Sequence, residues 1–484
     1  MKNSPCITID EIKTAIFQSK KDSAAGMDLL HNQMLRNLPY NTLEETRHLF
    51  NKSISQNRIP EIWKTAKITL IPKKLENKSD PNSYRPISVS SCAGKILERV
   101  ICNRLYYFLE SNKLLTKNQS GFRKHRRTSD NLFFMTQKVA ESFNRGKSVC
   151  ALFFDISKAF DKVWHDGLVY KLIKLNVPPY LVMFIISFLN RRSFRVFVDG
   201  HLSGSEEIRA GVPQGAPLSP ILFSIYINDV PQKNVSNVSQ SLLFADDLET
   251  MFFFKKQGNI ESQINRYLSE LEKWLMKWKM KIATNKCSYL IFTQNTRVKP
   301  ELNLLLHGEA IPCVTQMKFL GLTFDNRLNF KPQVNEIRKK CKDRLNIIKI
   351  LSGRHWNLKP SVLGGIYKSL IGSVIDYSFM CLHLISESDL SKLQAIQNNA
   401  IRSIFHLPFD YSNAELARYR TELNLDLISH RLDGLSDRYI ASSLEHNNEL
   451  LVALAKEYRG GFTSRDEKRA TPLSGSYLIL DKYL

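Results

Sequence analysis

Two apolar patterns alternate along the first two thirds of the chain. Short apolar or alternating runs, typical of strands, occur at 68–71, 149–154, 289–293 and 318–324. Apolar residues at helical spacing occupy 93–113 and 260–278. After Asp325 helical spacing dominates, and one apolar stripe runs from Val334 to Leu351. The pattern predicts an α+β fold with a mixed centre and a helical C-terminal part.

Composition narrows the kinds of partner. The 484 residues include 69 Lys and Arg against 46 Asp and Glu, a net charge of +23. Such a surplus favours a polyanion, with nucleic acid first and an anionic membrane surface second. The 8 cysteines form no Cys-x-x-Cys pair, which argues against a zinc finger and favours a reducing compartment.

Membrane insertion and secretion are not expected. The most apolar segment, 180–189, is about half the length needed to cross a bilayer. The first residues carry no apolar leader. We therefore expect an intracellular protein with no membrane partner, in the nucleus, the cytoplasm or both.

One acidic pair interrupts an otherwise apolar stretch. Asp246 and Asp247 lie between the apolar residues 241–245 and a second run, 251–254, where a tight turn would place them at a hairpin tip. Asp155 similarly ends the run 149–154. If the strands are neighbours in one sheet, the carboxylates would converge and hold two divalent metals, for which Mg²⁺ is suited. At this point an ordinary Asp-Asp turn remains the alternative.

The surrounding motifs remove that alternative. Residues 155–165, 211–220 and 244–247 resemble successive palm motifs of reverse transcriptases, in particular those of jockey-like non-LTR retrotransposons. The resemblance continues over most of the chain, in the right order, at 83–88, 119–123, 318–321, 376–377 and 393–398. It implies a right-hand polymerase that adds deoxynucleotides to a primer 3′-hydroxyl on an RNA template.

The resemblance also implies a division of the chain. We expect an N-terminal helical extension at 1–53, a reverse transcriptase domain of fingers and palm at 54–325, a helical thumb at 326–406 and a helical tail at 407–484. The expected partners are an RNA template, a DNA primer and deoxynucleoside triphosphates. Because the polymerase-like pattern begins almost at Met1, an endonuclease from a full-length element would be a separate partner.

The resemblance assigns the metal ligands and the sugar gate. Asp155 and Asp246 would be the principal ligands of two Mg²⁺ ions, with Mn²⁺ as the alternative metal. The Ile156 carbonyl and the adjacent acid Asp247 would complete the set. Phe160 would select deoxynucleotides by clashing with a 2′-hydroxyl; its alternative role is a packed core aromatic.

Further residues would contact the substrates. Gln214 and Gly215 would lie against the incoming nucleotide and template, unless they form only a turn that opens a helix. Lys73, or its neighbour Lys74, would hold the triphosphate together with Arg85, because a point charge and a planar fork suit clustered phosphates.

The last assignments are basic residues with solvent-exposed alternatives. Arg123 would touch template or nucleotide, or belong to a solvated charge run. Lys286 would protonate the leaving pyrophosphate, or be a surface lysine. Residues 319–324 resemble a primer-gripping hairpin. The basic face of 338–349 would follow the duplex backbone; its five residues are Arg338, Lys339, Lys342, Arg344 and Lys349.

Two other functions compete with this one. A catalytically degenerate remnant would keep the basic groove and bind nucleic acid without turnover. An RNA-directed RNA polymerase, or another palm nucleotidyltransferase, would share the acids, but a ribonucleotide polymerase should not have a bulky residue at position 160. The intact acids and Phe160 favour the RNA-directed DNA polymerase.

Overall fold

The computed structural model describes residues 5–73, 77–232, 238–298, 301–382, 384–461, 469–474 and 482. The chain divides into two compact units. Unit 1 comprises Met1–Phe122, Asp155–Pro231 and Glu270–Ala283, and unit 2 comprises Arg123–Phe154, Gln232–Ser269 and Thr284–Leu484. The domain boundaries expected from the sequence stay predictions.

Helices occur throughout both units. In chain order the α-helices of the described residues are α1 (Ile9–Gln18), α2 (Asn32–Arg36), α3 (Tyr40–Ser55), α4 (Glu61–Lys64), α5 (Cys92–Ser111), α6 (Thr128–Asn144), α7 (His165–Lys174), α8 (Pro179–Leu189), α9 (Ser219–Tyr226), α10 (Ile260–Lys277), α11 (Lys331–Leu351), α12 (Pro360–Tyr367), α13 (Ser373–Asp376), α14 (Phe379–Leu382), α15 (Glu387–Ile404), α16 (Leu416–Glu422), α17 (Ile428–Glu445) and α18 (Glu449–Gly461).

Among the described residues, strands occur only before Lys331. They are β1 (Thr65–Pro72), β2 (Tyr84–Val89), β3 (Ser148–Asp155), β4 (Arg192–Val198), β5 (His201–Leu202), β6 (Glu206–Ile208), β7 (Ser239–Phe244), β8 (Asp247–Phe254), β9 (Ser288–Phe292), β10 (Leu305–Leu306), β11 (Glu309–Ala310), β12 (Gln316–Phe319) and β13 (Leu322–Asp325). The predicted α+β class, with a helical C-terminal part, is confirmed.

Unit 1 contains a five-stranded sheet. Its order is β2-β1-β4-β5, and β6 also pairs with β4. β1 is antiparallel to β2, with Ile71 opposite Arg85, and parallel to β4, with Ile68 opposite Val196. The apolar run 68–71 therefore forms a strand, as predicted.

Unit 2 contains a four-stranded sheet of order β7-β8-β3-β9. Every residue of β3 before Asp155 is buried, which explains its uninterrupted apolar sequence. On one face, the Asn131 side chain of α6 donates to the Leu243 carbonyl at 2.9 Å. On the other, the Tyr267 hydroxyl of α10 lies 3.0 Å from Thr250 Oγ1. Helices thus cover both faces.

The sequence pattern predicted one strand over 318–324, and this prediction is wrong. The structure forms the antiparallel hairpin β12–β13, with Phe319 opposite Leu322. Leu320 and Gly321, the two turn residues, have φ of 44° and 86°. Positive φ at both positions matches the twist of a hairpin, but an apolar leucine in the turn hides it from periodicity. The hairpin agrees with the expectation drawn from the family resemblance.

A buried lysine joins three elements of unit 1. The ammonium of Lys171 on α7 lies 4.9 Å from the Tyr226 ring centroid, 5.0 Å from Trp274 and 3.7 Å from Trp278. Its ion pair with Asp229 Oδ1 measures 2.5 Å. Burial lowers the pKa of Lys171 to about 8, against the opposing effect of Asp229. The rings and the carboxylate offset part of the cost of burying this charge.

None of the described helices combines the length and the apolarity needed to cross a membrane.

A second buried charge gives unit 1 a pH dependence. Glu98 on α5 is 4% exposed, and its Oε2 has no hydrogen-bond partner among the described residues. Burial raises the pKa of Glu98 to about 7, with Arg192 the largest of the charges that oppose the shift. The buried carboxyl therefore stabilises the fold less in its charged form than in its neutral form.

We predict that Glu98→Gln flattens the pH dependence of stability. The folded-state pKa lies above the usual 4.5, so the folded state holds its proton more tightly, and stability falls as pH rises from about 4.5 to 7. The full effect is about 3 kcal/mol. In urea unfolding, the free energy of unfolding of the variant should increase relative to that of wild type between pH 5 and pH 8. Parallel pH profiles would contradict this, and Glu45→Gln, on the exposed part of α3, is the control.

A close backbone contact lies before α9. Gly211 has φ of +88°, and a Cβ at this position would lie 2.7 Å from the Asp161 carbonyl oxygen. Its N–H donates to the Val163 carbonyl at 2.8 Å, and Val212 N–H donates to the Phe160 carbonyl at the same distance. Only glycine satisfies both the conformation and the approach.

We predict that Gly211→Ala destabilises the protein by about 2 kcal/mol or more, because it adds both backbone strain and a steric overlap. Gly204→Ala is the matched control, since an added Cβ there meets no atom within 4 Å. Chemical denaturation of both variants would measure the difference. Equal stabilities would show that the 211 backbone relaxes without cost.

Candidate functional site

The acidic pair lies at a tight hairpin turn, as predicted. The β7–β8 ladder ends with Phe244 opposite Asp247, so the turn consists of Ala245 and Asp246. Ala245 has φ of 56°, a conformation in which a Cβ costs about 1 kcal/mol. Asp246 and Asp247 are both half-buried. The turn thus places two carboxylates, one in the turn and one at the first residue of β8, beside each other in the chain.

The strand next to β8 ends in the third acid. Asp155 is the last residue of β3, and β3 is the neighbour of β8. β9 is antiparallel to β3, with Phe153 opposite Ser288, so β9 begins where β3 ends. Lys286 belongs to a short 3₁₀ turn just before β9 and is exposed. It therefore lies at the end of the sheet where β3 finishes.

Just after β3, the carbonyl of Ile156 points away from the segment around Ile282 with which Ile156 pairs. Ile156 forms an isolated antiparallel bridge with Ile282. The bridge is made by Ala283 N–H donating to the Asp155 carbonyl at 3.1 Å and Ser157 N–H donating to the Lys281 carbonyl at 2.9 Å. Because successive residues of an extended strand alternate, the Ile156 carbonyl faces the opposite side.

A further carboxyl lies close by in sequence and was missed by sequence reasoning. Glu249, two residues after Asp247 on β8, is completely buried, and neither carboxyl oxygen has a hydrogen-bond partner among the described residues. Burial raises the pKa of Glu249 well above its usual range. The available signal was a lone acid at an interior position of an apolar strand.

Phe160 is held by two other aromatic rings of unit 1. Its ring stacks on Phe223 at a centroid distance of 5.0 Å and an interplanar angle of 17°. Phe122 meets it edge-on at 5.9 Å and 85°. The ring is half-buried, so part of it remains accessible. These contacts restrict its rotation, as a steric gate requires.

The loop before α9 is tied to strand β2. Gln214 Nε2 donates to Asp161 Oδ1 at 3.0 Å, and the Gln214 carbonyl accepts from Ser88 N–H at 2.7 Å. A Cβ at Gly215 would lie 3.0 Å from the Ser88 carbonyl, so only glycine fits without a shift. Arg85, three residues before Ser88 on β2, is exposed. Unit 1 thus brings three predicted residues, Arg85, Gln214 and Gly215, onto one strand and its bound loop.

Asn82 binds two lysines and was not identified from sequence. Lys73 Nζ donates to the Asn82 carbonyl at 2.6 Å, and Lys158 Nζ donates to Asn82 Oδ1 at 3.2 Å. Lys73 N–H also donates to the Ser83 carbonyl at 2.8 Å. Lys74 lies outside the described residues. Lys73 is therefore positioned by the turn that leads into β2.

The basic loop around Arg123 is anchored within unit 2. The His125 ring stacks on His446 at 4.3 Å, and Arg126 bonds to Asn448 and lies 3.9 Å from a Glu449 carboxylate oxygen. Arg123 is half-buried. Because of these contacts, the loop is not a freely solvated run of charged residues.

The basic face expected on α11 is narrower than the sequence indicated. Arg344 Nη1 donates to the Leu370 carbonyl and so faces the protein. Arg338, Lys339, Lys342 and Lys349 are exposed. These four residues, not five, form the exposed basic stripe.

Asp155, Asp246 and Asp247 have the oxygen donors that suit a divalent metal, but they do not form a complete set of metal ligands among the described residues. Within the part of the chain that the structure describes, no group of three or more His, Cys, Asp or Glu residues is arranged to hold a metal ion. Mg²⁺ does not need such a group, because one or two carboxylates with water and substrate phosphates complete its shell. Half-buried oxygen donors at a strand end fit that requirement.

Comparison with known proteins identifies the family of this chain. The family model described as "Reverse transcriptase (RNA-dependent DNA polymerase)" matches residues 71–324, just over half of the chain. "RNA-directed DNA polymerase from mobile element jockey" of Drosophila melanogaster is 30% identical over 92% of this chain and 48% of its own length. "Probable RNA-directed DNA polymerase from transposon X-element" of the same organism is 28% identical over 93% of this chain and 49% of its own.

Among solved structures, apo telomerase from Candida tropicalis matches with a TM-score of 0.40 and 12% identity, over 86% of this chain and 73% of that one. At this TM-score the similarity carries no weight for the assignment. The chain spans about half the length of the curated relatives it matches. The resemblance to jockey-like reverse transcriptases is confirmed, and the chain belongs to the reverse transcriptase (RNA-dependent DNA polymerase) family.

Proposed function

We propose that this chain is an RNA-directed DNA polymerase of a non-LTR retrotransposon, built as a right hand with fingers, palm and thumb. The observation that carries the proposal is the Asp246–Asp247 hairpin beside a strand that ends in Asp155, in a chain of this family. The reaction would extend a DNA primer on an RNA template, with deoxynucleoside triphosphates as substrates and pyrophosphate as product.

Asp155 and Asp246, with the Ile156 carbonyl and Asp247, would hold two Mg²⁺ ions, or Mn²⁺ in their place. When bound, the metal would lower the pKa of the primer 3′-hydroxyl and stabilise charge on the attacking and leaving oxygens. The buried strands β3 and β8 support this proposal because they hold the backbone of the acids rigidly.

The residues of unit 1 would bind the nucleotide. Arg85 would grip the triphosphate as a planar fork and Lys73 as a point charge. Gln214, oriented by Asp161, would contact the incoming nucleotide and template. Phe160, restrained by its two neighbouring rings, would exclude a 2′-hydroxyl.

The remaining assignments complete the cycle. Lys286 would donate a proton to the leaving pyrophosphate, and Arg123 would contact template or nucleotide. We propose an intracellular location, in the nucleus, the cytoplasm or both, as a ribonucleoprotein.

The first test is primer extension on a poly-ribonucleotide template with Mg²⁺. Asp246→Asn should lower extension by at least about a hundredfold, because the amide keeps the shape but removes the negative charge that binds a metal. Asp166→Asn, an exposed acid on α7, should extend like wild type.

Equal extension by Asp246→Asn and wild type would contradict the metal site. If wild type itself binds the template but extends no primer, the protein is instead a nucleic-acid-binding remnant.

The second test concerns sugar selection. Phe160→Ala should lower the preference for dTTP over UTP by about tenfold or more, because the space for a 2′-hydroxyl opens. The measurement is kcat/KM for both nucleotides. Phe17→Ala, at an exposed aromatic of α1, should keep the wild-type ratio. An unchanged ratio in Phe160→Ala would make Phe160 a packing residue only.

A further inference from the structure

A groove in unit 2 lies where α11 and α15 end. Its volume is about 440 Å³. One wall comes from the last turn of α11 and the residue after it, and the other from α15 and the loop that follows. The lining residues are Lys349, Ser352, Asn399, Arg402, Ser403, His406, Leu407 and Phe409.

The groove is cationic. Its lining contains no Asp or Glu, and neither Lys349 nor Arg402 forms an ion pair within the described residues. Arg402 is held in place by its Nη2, which donates to the Tyr411 carbonyl at 2.8 Å and to Asn413 Oδ1 at 2.7 Å. Its Nε is buried without a hydrogen-bond partner among the described residues. A positioned and unneutralised guanidinium is suited to an anion.

Beside these cations stands an exposed aromatic ring. Phe409 is 86% exposed, more than any other large apolar side chain that the structure describes. A planar ring next to a cationic groove can stack a flat partner while the cations bind its charge. Isolated exposed apolar residues are common, so the argument depends on the combination with Lys349 and Arg402.

The polar side chains between them can accept hydrogen bonds. Ser352 Oγ donates to the Lys349 carbonyl at 3.0 Å, and Ser403 Oγ donates to the Asn399 carbonyl at 2.9 Å. With their protons committed to the backbone, both hydroxyls present lone pairs. Groups of this kind can receive a sugar hydroxyl, which RNA has and DNA lacks at the 2′ position.

We propose that this groove binds single-stranded RNA, with an unpaired base stacked on Phe409 and the adjoining phosphates on Lys349 and Arg402. An acidic peptide would use the cations but not the flat ring. A duplex keeps its bases stacked inside and would leave Phe409 exposed. The inference rests on the proposed function, which supplies a single-stranded template, and adds a site beyond the stripe expected to follow the duplex.

Lys349 links the two surfaces. It is the last basic residue of the stripe formed by Arg338, Lys339 and Lys342, and it is also part of the groove. Single-stranded RNA in the groove would therefore be continuous with the duplex along α11. The stripe provides charge alone, whereas the groove adds a stacking surface.

The test measures binding of the full chain to three labelled probes by fluorescence anisotropy. The probes are a U12 oligoribonucleotide, the deoxyuridine oligomer of equal length, and an abasic ribose-phosphate oligomer with the same charge. Phe409→Ala should weaken U12 binding roughly fivefold or more, because it removes one stacked base, and should leave abasic binding unchanged. Lys349→Gln should weaken U12 and abasic binding equally and reduce the salt slope by about 0.7.

The control for the ring is Phe17→Ala. Phe17 is 80% exposed and has the Arg36 guanidinium 5.8 Å from its ring, but it lies outside the groove. The Phe17→Ala variant should bind all three probes with the affinity of wild type. Unchanged U12 binding by Phe409→Ala would overturn the proposal, and equal affinity of wild type for U12 and for the deoxyuridine probe would overturn the assignment to RNA.

Primer extension by wild type, run in parallel, separates this proposal from the proposed function. Extension without an effect of Phe409→Ala on U12 binding would refute the groove alone. A Phe409-dependent binding of U12 without extension would refute the polymerase alone.

Discussion

The structure depends on placing carboxylates at the margin of a buried sheet. Strands β3 and β8 are covered on both faces, so a charge within them has neither water nor a partner. Asp155 and Asp246 instead lie where the strands end, and both are half-buried. Glu249 illustrates the opposite case, because two residues inside β8 its carboxyl is unpaired and its pKa is raised. The tight turn at Ala245 therefore determines which acids lie at the margin of the sheet.

Unit 1 supplies rigidity by contacts that lie behind the proposed binding residues. The Phe160 ring is fixed by Phe122 and Phe223, and the Gln214 amide is fixed by Asp161. The backbone approach at Gly211 leaves no room for a side chain. Groups held in this way lose little conformational entropy when a substrate binds, which is the physical value of preorganisation.

The Lys and Arg residues, which outnumber Asp and Glu, have two different structural roles. Lys171 is buried among three aromatic rings and an aspartate, where it joins helices rather than attracting a partner. The exposed residues of the stripe on α11, and Arg402 beyond it, form no ion pair among the described residues. Net charge alone indicated a polyanionic partner. Only the structure distinguishes the cations that are buried within the fold from the exposed cations that could contact such a partner.

The sequence by itself determined the α+β class, the buried strands, the acid pair at a hairpin tip and the family. These are local properties, since burial of a strand and the turn between two strands are written in consecutive residues. Tertiary structure decided the β12–β13 turn, where Leu320 conceals positive φ, and the inward direction of Arg344. It also revealed Asp161 beneath Gln214, Asn82 between two lysines and the groove beside Phe409. Each of these joins residues distant in the chain or depends on backbone geometry that residue type does not specify.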